Sequence, residues 1–169
     1  GGTLSGRHQS GKSWQTVCPR LSGTSGLEQD RSRSWTARRC RGENGRKIKL
    51  YKDIIDYNIS YETNINNYIG NAKVTIVDYL PYKLDLTLSD LAGGSYDEEN
   101  NTITWNIDIV DIDTYTNGTY KLSINKNLSL SYKDIDLTSE VITNKVEVNI
   151  KTDVSEDTKD DKFDTEVNV

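Results

Sequence analysis

The stretch "VTIVDYLP", Val74 to Pro81, decides how this chain is read. Val74, Ile76 and Leu80 fall on one side of an extended chain, and Thr75, Val77 and Tyr79 fall on the other. A period of two marks a strand with one buried face. Pro81 has no amide hydrogen for a ladder and closes the run. The anomaly is Asp78, an acid that shares the parity of the apolar residues.

The same period recurs on both sides of this stretch. In "IIDYNISY", Ile55, Tyr57, Ile59 and Tyr61 oppose Asp56, Asn58 and Ser60. In "TITWNIDI", Ile103, Trp105, Ile107 and Ile109 oppose Thr104, Asn106 and Asp108. "GTYKLSINKNLSLSYKDI" alternates through Tyr120, Leu122 and Ile124, then Leu128, Leu130 and Tyr132, and "VITNKVEVNI" through Ile142, Val146, Val148 and Ile150. Asn-, Gly- and Asp-rich clusters such as "LAGGSYDEENN" and "DTYTNGTY" separate the runs, and no segment carries a helical stripe. About seven short alternating strands predict an all-β fold, an immunoglobulin-like antiparallel sandwich with Trp105 in its core.

Composition divides the chain. Of 169 residues, 34% are hydrophobic and mean hydropathy is −0.71, so a core forms only where apolar residues concentrate. Residues 1–46 hold nine Lys and Arg against three Asp and Glu, and residues 47–169 hold twelve against twenty-three. Every arginine and both cysteines, Cys18 and Cys40, precede Lys47, whereas all ten tyrosines follow it. The residues before the join are those of GC-rich codons and the residues after it those of AT-rich codons, as at a misread frame or a chimeric join. Residues 1–46 are therefore expected to be a non-native or disordered basic leader, since its charge alone does not make a nucleic-acid site. Residues 47–152 form the sandwich. Residues 153–169, with "SEDTKDDKFD", lack the spacing and glycine of a calcium loop and are expected to be an acidic linker or tail.

Neither cysteine belongs to a CxxC pair or a zinc set, and His8 is the one histidine. No cofactor or metal is expected. No run of apolar residues is long enough to span a bilayer. Without G-x-S-x-G or a placed carboxylate pair, no enzyme is expected.

"VTIVDYLP", "SDLAGGSYDEENNTITWNI" and "ITNKVEVNI" together resemble a bacterial surface-protein repeat domain of unknown function, related to isopeptide-forming adhesin and pilin modules. The resemblance covers roughly residues 49–152. It implies a non-enzymatic stalk or spacer module of an exported Gram-positive cell-surface protein, with neighbouring repeats as partners and signal and anchor carried elsewhere in the parent. The alternative it leaves open is an adhesin-type module that binds a host or glycan ligand through its loops, where Tyr96 and Tyr115 are the isolated aromatic candidates. Some relatives join a lysine on the first strand to an asparagine on the last, beside a buried acid. Carried over by motif, Asn144 of "TNKV" takes the acceptor position and Asp78 of "VDYLP" the acid. The donor strand should precede "KDIIDYNISY", where this chain has its arginine-rich leader, so Lys47 and Lys49 are the remaining donor candidates and the first strand is expected to be missing. The plain reading stands beside this one: Asp78 accepts backbone amides at a strand end, and Asn144 satisfies buried backbone groups.

Overall fold

The computed structural model describes residues 15–23, 35–36, 54–133 and 141–166. Among them the elements in chain order are β1 (Gln15–Gly23), β2 (Trp35–Thr36), β3 (Ile54–Ile65), β4 (Ile69–Tyr79), β5 (Lys83–Leu84), β6 (Ser95–Asp97), β7 (Thr102–Asp113), α1 (Thr114–Asn117), β8 (Tyr120–Leu130), β9 (Tyr132–Lys133), β10 (Val141–Thr152) and β11 (Glu156–Glu166). One sheet has the order β2-β1-β3-β8 and a second the order β11-β10-β4-β7-β6. A short ribbon pairs β5 with β9.

Each sheet turns one face inward, as the alternation requires. Ile55, Tyr57, Ile59 and Tyr61 of β3 and Leu122, Ile124 and Leu128 of β8 supply one wall of the core. Val74 and Ile76 of β4, Ile103 and Trp105 of β7, and Val146, Val148 and Ile150 of β10 supply the other. The result is the expected all-β sandwich, and its body is antiparallel throughout. Trp105 is buried as predicted, and its indole nitrogen donates to the Ala92 carbonyl at 3.1 Å, which ties the 91–94 turn to the core.

Alternation breaks once within the long pair β4–β7. The register slips between Gly70 and Ala72, and opposite the slip Asp111 takes a positive φ of 59°. The Asn71 side chain accepts the Asp111 amide hydrogen at 3.0 Å, which compensates the ladder bond lost at the bulge. Beyond it Ile112 points inward again, and Ile107, expected inside, is only half-buried.

One segment departs from expectation. The acidic stretch after Thr152, expected to be a linker or tail, turns back as β11 and pairs with β10 from Glu156 opposite Lys151 to Glu166 opposite Val141. The turn is closed by the Thr152 hydroxyl, which accepts the Ser155 amide hydrogen at 3.0 Å, and by the Thr152 amide donating to the Ser155 carbonyl at 2.8 Å. Alternation is missing there because β11 is a rim strand that, among the described residues, pairs with β10 alone, and it is β10 and not β11 that supplies Val146, Val148 and Ile150 to the core. In the leader, residues 15–23 are extended and pair in parallel with β3, Gln15 opposite Ile54 and Leu21 opposite Ile59. The edge of β3 that a missing first strand would expose is therefore occupied by β1.

Candidate functional site

The two motif residues carried over from the resemblance lie on neighbouring strands. Val146 of β10 stands opposite Asp78 of β4, and Asn144 precedes Val146 by one inward-facing position, so Asn144 and Asp78 are diagonal neighbours on the same inner face. Side chains so placed are within reach of one another. Asp78 is 0% exposed and Asn144 is 1% exposed. Ile103 flanks Asp78 from β7 on the other side.

An acid at the centre of such a wall is costly to ionise. Burial pushes the Asp78 carboxyl up to about 7, and the Asn144 amide offsets part of that rise. Among the described residues, neither carboxylate oxygen of Asp78, and neither the oxygen nor the nitrogen of the Asn144 amide, completes a hydrogen bond of regular geometry. The plain reading, in which Asp78 caps backbone amides at a strand end, is not what the structure shows. The Asn101 amide group, instead, holds the Leu80 carbonyl at 3.1 Å, and the Leu80 amide donates to the Asn101 carbonyl at 3.1 Å. Four buried polar atoms thus gather at one spot in the core with, among the described residues, only an irregular contact between the two side chains, a rare arrangement that calls for a reason.

Across the sandwich the same spot is bordered by two hydroxyls. Tyr57 of β3 and Tyr132 of β9 bring their hydroxyl oxygens to 3.2 Å of each other. Burial drives the Tyr132 hydroxyl well above its ordinary range, and Tyr57 and then Asp78 add to the rise. The alternation assigned both tyrosines to the core, but no sequence signal marks them as neighbours of Asp78. Lys47 and Lys49, the donor candidates, lie outside the described residues.

The loop candidates are not built alike. The Tyr96 hydroxyl donates to the Asn101 side chain at 2.8 Å and accepts the Leu84 amide hydrogen at 3.2 Å, so it pins the ribbon to β6 and is not a free platform. Tyr115 sits on α1, exposed, with Asp113 capping that turn through the amides of Tyr115 and Thr116. Among the described residues no group of three or more His, Cys, Asp or Glu is placed to hold a metal ion, and no helix is long and apolar enough to cross a membrane.

No protein-family model matches the chain, and no curated protein matches it in sequence. Among solved structures it is similar to the collagen-binding subdomain of the Enterococcus faecalis surface protein ACE, at TM-score 0.35 and 9% identity over 64% of this chain and 87% of that one. It is also similar to the collagen-binding domain of a Staphylococcus aureus adhesin, at TM-score 0.32 and 16% identity over 63% of this chain and 87% of that one.

Proposed function

We propose that the chain is a non-enzymatic structural module of an exported bacterial surface protein, a spacer whose core holds an acceptor site for a lysine crosslink. The observation that carries the reading is the buried pair Asp78–Asn144, drawn from two distant motifs to adjacent strands and, among the described residues, left with only each other. A neutral lysine amine attacks the Asn144 side-chain carbonyl carbon, a new amide bond forms, and the carboxamide nitrogen leaves as ammonia. A protonated Asp78 donates a hydrogen bond to the carbonyl oxygen and polarises it, which the raised pKa permits near neutral pH. Burial keeps the incoming amine uncharged and hence nucleophilic. Lys47 and Lys49, upstream of β3, are the donors proposed.

Intact-mass measurement of the full chain tests this directly. The expected result is a mass lower by one ammonia, abolished by Asn144→Ala; an unaltered mass would reduce the site to a strained polar pair. The second reading, an adhesin-type binder of a host or glycan ligand, rests on the open depression between the β5 ribbon and β6, lined by Leu84, Asp85, Leu86, Tyr96, Glu98 and Lys133. Saturable binding on a glycan or matrix-protein array, lost on Leu86→Asp, would favour that reading over the spacer.

A further inference from the structure

Sheet edges are where this molecule is unfinished. The five-stranded sheet ends on one side in β6, three residues long, and the four-stranded sheet in β2, two residues long. These short strands cover only Thr102–Thr104 of β7 and Ser22–Gly23 of β1, and the sides they leave open are broken by register shifts, beside Asp111 in β7 and between Val17 and Arg20 in β1, which disfavour a regular incoming strand. The other two edges are different. β8 and β11 are each eleven residues long. Among the described residues β8 pairs along its length with β3 alone, apart from a single bridge between Ser129 and Asp90, and β11 pairs with β10 alone.

These two long edges carry opposite charge. β8, "YKLSINKNLSL", has Lys121 and Lys126 and no acid. β11, "EDTKDDKFDTE", has Glu156, Asp157, Asp160, Asp161, Asp164 and Glu166 against Lys159 and Lys162. Like edges therefore repel, β8 against β8 and β11 against β11, while unlike edges attract. Charge on an edge strand ordinarily guards against pairing of any kind. Here the guard acts only against the like edge, which is a way of choosing a partner.

We propose that β8 of one copy pairs with β11 of a second copy, joining unlike edges into one continuous sheet. An antiparallel register sets Lys126 opposite Asp161, Asn127 opposite Asp160 and Ser123 opposite Asp164, with no lysine facing a lysine. Lys121, Ser123, Asn125 and Asn127 are exposed on the outer face of β8, and Lys126, half-buried, shares the inward parity of Ile124 and Leu128. Asp161 alternates in the same way on β11, being half-buried where Asp160 and Lys162 are exposed. Burial and the adjacent Asp160 hold the Asp161 carboxyl above its ordinary range, and an ammonium brought alongside relieves that crowding. Because the two edges are different surfaces of one chain, the contact is heterologous and each copy keeps one edge free. Such contacts build open chains and not closed dimers.

Sedimentation of the full chain over a range of concentrations tests the pairing. The weight-average mass should climb continuously with concentration and fall as salt is raised. Lys126→Glu and Asp161→Lys should each weaken association about tenfold or more, and the double variant, which restores unlike charge, should recover most of it. Lys121→Glu, at an exposed position, repeats the first arm if Lys126→Glu lowers the melting temperature. A monomer at every concentration, a mass that stops at twice the monomer, or a double variant no better than the singles would each overturn the proposal.

Discussion

At the scale of single residues, Asp78 sets the most distinctive solution behaviour. Its carboxyl titrates near 7 in the fold and near 3.8 when exposed in the unfolded chain. Between those values the folded state holds a proton that the unfolded state has released, so stability falls as pH rises through this window and levels off above it. The full decline is on the order of 4 kcal/mol for a shift of this size. Asp78→Asn, which is neutral at every pH, should flatten the profile and be more stable at neutral pH than the uncrosslinked parent; denaturant titrations between pH 4 and 8 of both forms, sorted by intact mass, measure this. Gly94 makes a second case. A Cβ there would meet the Ile103 side chain at 2.5 Å and the Trp105 ring at 2.7 Å, both packed in the core. Gly94→Ala should cost about 1–3 kcal/mol through overpacking, read as a lower denaturation midpoint. The acid's parity with Val74 and Ile76 was visible in "VTIVDYLP", and so was its burial. What was not visible is the missing partner, because a hydrogen bond depends on two side chains whose meeting is decided by the pairing of β4 with β10.

Elements were legible where two walls of the core meet. β3, β4, β7, β8 and β10 each show the period of two, because each has one face on the opposite sheet and one in solvent. β11 was opaque for the converse reason. Its residues answer to backbone pairing with β10, which any sequence free of proline can supply, and its rim position asks for no apolar row. The acidic composition described its solvation correctly and concealed its hydrogen bonds. Removal of residues 153–169 should lower the melting temperature by roughly 5–10 °C, since it strips the whole ladder of β10 on one side. Thr152→Val, which removes the hydroxyl that closes the β10–β11 turn, should cost about 1 kcal/mol, measured in the same melts. A chain that melts unchanged without residues 153–169 would return the segment to the linker it was expected to be.

At the scale of the whole molecule, the direction of β11 governs how the fold would answer a pull. Tyr57 near the start of β3, Asp78 near the end of β4 and Asn144 near the start of β10 gather at one end of the sandwich. Glu166 lies opposite Val141 at that same end. A pull between Ile54 and Glu166 therefore loads the β10–β11 ladder from its open end, bond by bond, and not all at once. β11 peels away first, while β3, β4 and β10 keep their places around the Asp78 site. Peeling moves the point of exit to Thr152, at the far end, and releases residues 153–166, about 45–50 Å of extended chain. A fold whose Ile54 and Glu166 lie at one end at rest would thus lengthen under such a pull by its last strand, before the Asp78 site is disturbed.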